Sequence, residues 1–267
     1  MPVTTATSLC PISKAEFRKL DDLVMSQAFE SQNQLGRLCD EVIYQNDLAA
    51  RLRGSGAGSV QTEVRVTVTY QDFRKQYSLD LVVADAAIYE LKTVQGLVGE
   101  HEAQLLNYLF LCGSYRGKLL NFRPAQVEAR FVNAALTPEQ RHQFEVETAR
   151  WHEEEEIDPI FRTTVLGLLE DWGTGLDLAL YAEALTYFLG GVGRGLRLVP
   201  LQRAGVGLGN QHFHLLSADT AFQLTVLLEG AEEYESQLGS LLRLTPLRAV
   251  QWVNVARHQV RFVTLRR

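Results

Sequence analysis

Asp80, Glu90 with Lys92 two residues on, and Gln104 with Tyr108 one helical turn apart are the residues whose types and spacing call for a defined chemistry. Carboxylates are hard oxygen donors that suit Mg²⁺ or Mn²⁺, and an ion held by few of them keeps positions free for water and a phosphate oxygen. A lysine beside such an ion can orient or help deprotonate the water, or stabilise the charge that builds at phosphorus. The pattern reads as a two-carboxylate metal site with an adjacent lysine. The same residues also fit an ordinary salt-bridged trio on a solvated sheet face, and spacing alone does not separate the two.

The elements that must position these residues favour convergence. Tyr77 to Val83 and Ala87 to Val94 are rich in β-forming residues, and the Ala84-Asp85-Ala86 break between them suits a hairpin. Such a hairpin sets Asp80 opposite Glu90. Residues two apart on a strand share a face, so Glu90 and Lys92 lie together while Leu91 enters the core. Upstream, a helical pattern begins at Lys14 to Phe29 and continues through Glu41 to Leu52, until the glycine-serine stretch Gly54 to Ser59 ends it. Strands are expected at Thr62 to Tyr70, Phe73 to Val83 and Ala87 to Val94, a helix at Glu100 to Cys112, and strands near Lys118 to Asn121 and Glu128 to Val132. That order fits an α/β sheet flanked by helices.

Tyr77-Ser78-Leu79-Asp80-Leu81-Val82-Val83, Tyr89-Glu90-Leu91-Lys92 and the run from Glu100 to Leu109 that holds Gln104 and Tyr108 resemble the PD-(D/E)XK nuclease superfamily, and within it the small GxxExxY family. The resemblance spans about Leu35 to Asn133. The family's glycine-rich helix start reads Leu35-Gly36-Arg37-Leu38-Cys39-Asp40-Glu41-Val42-Ile43-Tyr44, where Glu41 and Tyr44 keep the E-x-x-Y step and Leu38 replaces the second glycine. The resemblance implies a restriction-endonuclease-like mixed β-sheet flanked by helices. It further implies a Mg²⁺- or Mn²⁺-dependent nuclease that cleaves phosphodiester bonds of DNA with a metal-activated water. By the same resemblance Asp80 and Glu90 are metal ligands, Glu41 is a helix-borne acid facing the metal, and Lys92 is the catalytic lysine. Gln104 and Tyr108 match the Q-x-x-x-Y helix of RecB-like nucleases and, with Tyr44, are candidates for positioning substrate. Tyr108 equally fits a core position, and Glu41 a solvent-facing helix carboxylate.

A second stretch of the chain follows the first. Placing Glu235 under Glu102, an offset of 133, keeps register without a gap for some forty residues, with Asn254 under Asn121 and Gln259-Val260 under Gln126-Val127. Gly173 and Tyr181 also stand at the separation of Gly36 and Tyr44, now at an offset of 137. The chemistry is not repeated: Leu178 stands for Glu41, Gln223 for Glu90 and Thr225 for Lys92, and the strand matching that of Asp80 reads His212-Phe213-His214-Leu215-Leu216. Without carboxylates there is no site for a hard cation. His212 and His214 alternate on one strand face and are a candidate pair for a transition metal, though two lone histidines more often serve as surface or hydrogen-bonded core residues.

The expected organisation is a nuclease-like domain over 14–136, a helical connector over 137–158 and a degenerate nuclease-like repeat over 159–267, duplicated in tandem as an internal pseudo-dimer. Thr137-Pro138-Glu139-Gln140 resembles a helix start, and Glu153 to Glu156 read as a solvated face of that connector. At 267 residues and 46% hydrophobic content the chain can bury a sizeable core as one large domain or two modest ones. No apolar run is long enough to span a bilayer, and Met1 to Ile12 lack the features of a leader, so a cytoplasmic protein without membrane association is expected. Cys10, Cys39 and Cys112 are too few for an all-cysteine iron–sulfur ligand set, which makes a cluster unexpected. A net charge of −6 argues against broad nonspecific DNA affinity, although a metal ion and a local patch can overcome the global sign. Candidate patch residues are Arg51, Arg53, Arg65, Arg74, Lys75, Arg116, Lys118 and Arg123.

Three functions compete. The first is the metal-dependent DNA nuclease, a monomer or weak oligomer with one metal site. The second is a nucleic-acid or protein binding module that keeps the site residues without turnover, and a regulatory partner in a larger assembly is a third.

Overall fold

The computed structural model describes residues 3–190 and 194–267, which divide into two compact units, one closing at Pro138 and one running from Glu139 to Arg267. The first unit opens with a short strand, β1 (Val3–Thr5), and a long helix, α1 (Lys14–Leu35). Ser13 starts that helix through a reciprocal cap: its hydroxyl accepts from the Glu16 amide while the Glu16 carboxylate accepts from the Ser13 amide. Such a cap contributes about 1 kcal/mol. The helical pattern expected to run on to Leu52 is broken at Gly36, whose φ of 74° lies in the region that glycine enters without strain. A second helix, α2 (Glu41–Gly54), then begins. Tyr44 locks the corner, its hydroxyl donating to the Gly36 carbonyl at 2.7 Å and accepting from the Cys39 amide. Arg123 adds side-chain bonds to the carbonyls of Arg37, Cys39 and Thr93.

Five further strands follow: β2 (Val60–Tyr70), β3 (Phe73–Val83), β4 (Ala87–Lys92), β5 (Arg116–Asn121) and β6 (Glu128–Asn133), with α3 (Gly99–Cys112) between β4 and β5. They form one six-stranded sheet in the order β1-β2-β3-β4-β5-β6. Every pairing is antiparallel except β4 with β5, which is parallel because α3 carries the chain back across the sheet. The expected hairpin joins β3 to β4 through Ala84 and Asp85, both at positive φ, as a tight turn of primed type requires. Helices cover both faces. α1 and α2 bury Phe17, Val24, Tyr44, Leu48 and Leu52 against Leu81, Tyr89, Leu91 and Leu120. Full burial of Leu48 and Leu52 contributes about 2 kcal/mol each. α3 lies on the other face, close enough that a Cβ on Gly117 would meet Leu105 and the Ile88 carbonyl at 3.0 Å.

The second unit has α4 (Pro138–Arg141), β7 (Glu145–Arg150), α5 (Ile157–Trp172), α6 (Leu178–Leu189), β8 (Gly195–Arg203), β9 (Val206–Leu215), β10 (Thr220–Thr225), α7 (Ala231–Leu242), β11 (Ala249–Ala256) and β12 (Gln259–Arg266). Its six-stranded sheet runs β7-β12-β11-β10-β9-β8. β8 to β12 have the order and directions of β2 to β6, including one parallel pair, β10 with β11, bridged by α7. The registers coincide residue by residue: Glu90 pairs Leu119 where Gln223 pairs Trp252, and Asn121 pairs Glu128 where Asn254 pairs Arg261. The edges differ, since β1 covers β2 in the first sheet while β7 lies parallel to β12 in the second.

Two expectations are corrected here. The connector expected to be helical over 137–158 holds a four-residue helix and then a strand, β7, because Glu145 to Arg150 pair with β12. Glu153 to Glu156 do not form a solvated helix face. They precede α5, where Asp158 accepts from the amides of Glu154 and Glu155, and Glu153, Glu154 and Glu155 each pair with arginines among Arg162, Arg248 and Arg266. Among the described residues no helix is long and apolar enough to cross a membrane.

Candidate functional site

β3, β4, α2 and α3 bring the chemical groups of the first unit together. Leu81 pairs Tyr89 on the β3–β4 ladder, and the next step of that register sets Asp80 opposite Glu90. The ladder stops there because an Asp80 side-chain oxygen, not a backbone carbonyl, accepts the Leu91 amide at 2.8 Å. The Asp80 carboxylate is thereby fixed over β4. Glu90 and Lys92 share the α3 face of the sheet, and Lys92 Nζ donates to Glu90 Oε1 at 2.8 Å. Glu90 is only 1% exposed, and its other oxygen, Oε2, is buried without a hydrogen-bond partner. A carboxylate oxygen in that condition is costly unless a proton or a cation meets it.

The electrostatics follow from this crowding. Burial pushes the Asp80 carboxyl up to about 6, against the pull of the Leu91 amide and the Lys92 charge. Burial and then the charge of Asp80 push Glu90 up to about 8 although Lys92 stabilises its ionised form. Burial opposes the Lys92 charge, but Glu90, Asp80 and Glu41 outweigh it and hold the ammonium above its ordinary pKa. Glu41, the first residue of α2, is close enough for its charge to act on all three. On α3, Gln104 donates to the Tyr108 hydroxyl at 3.0 Å, and Tyr108 rests edge-on against Tyr77 with ring centroids 5.8 Å apart. Burial raises the Tyr108 phenol, and Glu90, Asp80 and Lys92 all act on it electrostatically. Tyr108 is thus both a core residue and a wall of the site.

Tyr44 lies elsewhere. It is fully buried, stacked on Phe122 at 4.5 Å between centroids and bonded to Gly36, so it ties the start of α2 to the end of α1. Of the basic candidates, Arg51 pairs with Asp47, Arg53 donates to the Val60 carbonyl, Lys118 is buried against Asp21, and Arg123 ties the α1–α2 corner. Two participants escaped the sequence reading. Gln45, one turn beyond Glu41, donates to the Asp80 carbonyl at 2.8 Å and to Glu63 at 2.7 Å, and the Glu63 charge raises Asp80 further. The Glu41–Gln45 spacing is a visible signal; Glu63 shows itself only once the β2–β3 register is known.

Among the described residues no group of three His, Cys, Asp or Glu side chains stands arranged to hold a metal ion. Lys92 occupies one oxygen of Glu90, and Glu41 stands at the rim. The donor set nonetheless fits a hard divalent cation, because two crowded carboxyl groups, one with a buried oxygen that has no hydrogen-bond partner, are hard oxygen donors placed side by side. The corresponding place in the second unit is built differently. The Gln223 amide turns to the Leu224 carbonyl, and Thr225 is buried between Asn254 and the Trp252 indole. Continuing the β9–β10 register puts Phe213 where β3 has Asp80. His214 is half-buried and its neighbour on the strand face, His212, is exposed.

The first unit is therefore an α/β domain whose sheet gathers two carboxylates and a lysine beneath a glutamine–tyrosine helix. Residues 18–132 match the PD-(D/E)XK nuclease superfamily. The match supports a nuclease-type enzyme, and nucleases of this superfamily generally use divalent metal ions. No curated protein matches the chain. The crystal structure of SSO0001 is similar at 20% identity and a TM-score of 0.28, over 44% of this chain and 66% of that one, so this chain spans just under two thirds of its length.

Proposed function

We propose that the first unit is a Mg²⁺- or Mn²⁺-dependent nuclease of the GxxExxY type that hydrolyses phosphodiester bonds of DNA, and that the second is a copy of the same fold which has shed the chemistry. The observation that carries the first part is the buried, partnerless oxygen of Glu90 beside Asp80 and Lys92. Asp80 and Glu90 would hold the ion, with Glu41 completing its shell. Bound there, the ion supplies Lewis-acid polarisation of the phosphate and lowers the pKa of water. Lys92, now bonded to Glu90, would be the group that bonds the attacking water or a phosphate oxygen once the carboxylate has another partner. Its raised pKa suits it to electrostatic stabilisation of the developing charge. Gln104 and Tyr108 present an amide and a hydroxyl at the mouth, where they orient a strand. Gln45 and the Leu91 amide hold Asp80 in place.

The second part rests on the shared strand order, the coincident registers, and matching details. Asn121 clasps the Val94 amide and carbonyl, and Asn254 clasps Leu227 in the same way. Tyr44 donates to the Gly36 carbonyl and Tyr181 to that of Gly173. The test is incubation of linear, circular and single-stranded DNA with Mg²⁺ or Mn²⁺, comparing wild type with Lys92→Ala. Metal-stimulated cleavage lost in the variant supports the nuclease. Binding without cleavage in either protein favours a binding module, the reading that the second unit, without the carboxylates and lysine of the first, keeps open.

A further inference from the structure

The sheet face opposite the Asp80–Glu90–Lys92 site carries a cavity of about 470 Å³ lined by Lys14, Phe17, Arg18, Arg116, Phe131 and Asn133. Its position follows from register: Lys118 pairs Tyr89 on the α1 face, one residue off the face of Glu90, and Phe131 pairs Lys118. Lys14, Arg18 and Arg116 pair with no carboxylate among the described residues. Lys14 and Arg18 are one turn apart at the start of α1, where the positive end of the helix dipole makes cations unfavourable unless an anion joins them. The cavity wall is aromatic. Phe131 is 49% exposed, its ring 6.1 Å from Phe17, which stacks in turn on Tyr89. Lys118 lies 4.2 Å from the Phe131 ring and is held by Asp21, whose second oxygen is buried without a partner.

The second unit shows what this place binds when the chain supplies the ligand. Gln251 and Thr264 stand at the registers of Lys118 and Phe131, and both are covered by His152 through hydrogen bonds to its backbone. The same segment continues into Glu154 and Glu155, whose carboxylates pair with Arg248, and Glu154 also with Arg266, at the register of Asn133. α5 begins only at Ile157, which leaves room for that acidic plug, whereas α1 begins at Lys14 and brings cations instead. One unit fills the position with its own anions; the other presents cations and an open ring.

We propose that the cavity of the first unit is a binding site for a phosphorylated nucleoside, with the phosphate held by Lys14, Arg18 and Arg116 and the base stacked on Phe131. Three cations suit a phosphate monoester, which carries close to two negative charges, better than a single carboxylate. The exposed ring offers a stacking face that accepts any base. The volume is that of a small-ligand site. The ligand is a free nucleotide or the phosphorylated end of a strand. The proposal does not rest on the nuclease reading, because it requires no cleavage and no metal.

Calorimetric titration of the full chain in EDTA with AMP, adenosine, a 5′-phosphorylated oligonucleotide, its unphosphorylated form, and a glutamate-rich peptide tests it. The expected result is one AMP or one phosphorylated end per chain, weakened about tenfold by Arg18→Ala or Arg116→Ala and also by Phe131→Ala, with adenosine and unphosphorylated strand binding weakly. Whichever of AMP and phosphorylated strand binds more tightly identifies the source. All three side chains are at least partly exposed, and far-UV circular dichroism verifies that the variants fold. No saturable binding of either phosphorylated ligand overturns the proposal. So does affinity unchanged by the arginine substitutions, loss of binding on Lys92→Ala instead, or tighter binding of the acidic peptide than of both phosphorylated ligands.

Discussion

The two units share a sheet order, a parallel central pair and residue-level registers, yet one gathers carboxylates and a lysine beneath its crossover helix and the other does not. Glu90 is buried with an unmet oxygen, while Gln223 at the same register satisfies its amide on a neighbouring carbonyl. Lys92 reaches toward Glu90, while Thr225 is locked between Asn254 and Trp252. The framework therefore does not need the charged groups in order to form. In the first unit they carry an electrostatic cost that the fold tolerates, visible in the upward shifts of the Asp80 and Glu90 carboxyls.

The largest expected effect separates the units outright. Asp80→Ala or Glu90→Gln should lower the cleavage rate by about 10²–10⁴-fold, whereas Gln223→Ala should leave it unchanged, as initial rates on DNA with Mn²⁺ would show. Loss of activity in the Gln223 variant would break the comparison.

The next effect is one of protons. Since Glu90 is held up to about 8 and Asp80 to about 6, divalent cation binding near pH 7 should release protons, which titrations in buffers of different ionisation enthalpy detect. Glu90→Gln should reduce the release.

Stability should report the same groups in the metal-free protein. Both carboxyls have folded-state pKa values above their unfolded ones, so their favourable contribution is fully present below about pH 4 and is lost as pH rises through about 6 for Asp80 and about 8 for Glu90. Denaturant unfolding should show a decline over that window on the order of a few kcal/mol, flattened by Glu90→Gln.

The smallest effect tests likeness instead of difference. Tyr44→Phe and Tyr181→Phe each remove a buried donor to a glycine carbonyl and should each cost about 1 kcal/mol, seen as equal shifts in urea midpoint. Unequal losses would mean that the two corners are held by different forces.

Much of this was legible in the chain. The β3–β4 hairpin, the alternation that puts Glu90 and Lys92 on one face, and the helix holding Gln104 and Tyr108 all follow from local pattern, because strand period and turn chemistry are local properties. The corner at Gly36 was legible only in part: the glycine-rich helix start over Leu35 to Tyr44 signals a new helix, while the positive φ that ends α1 shows only in the structure. β7 was hidden for a different reason: a short, exposed, charge-rich edge strand forms by pairing with β12, more than a hundred residues away, and carries no signal of its own. Glu63 needed the β2–β3 register to be seen beside Asp80, whereas Gln45 had a signal in its one-turn spacing from Glu41. Tyr44 fits its motif but serves the fold. Its E-x-x-Y spacing does not distinguish a residue that faces the site from one that props the helix bearing it.

The central claim is that this chain holds its metal chemistry once, in the first unit. Titration of the metal-free protein with Mn²⁺ tests it most directly. One site per chain, abolished by Asp80→Asn and untouched by Gln223→Ala, is the expected result; two equivalent sites, or a site that survives Asp80→Asn, would contradict it.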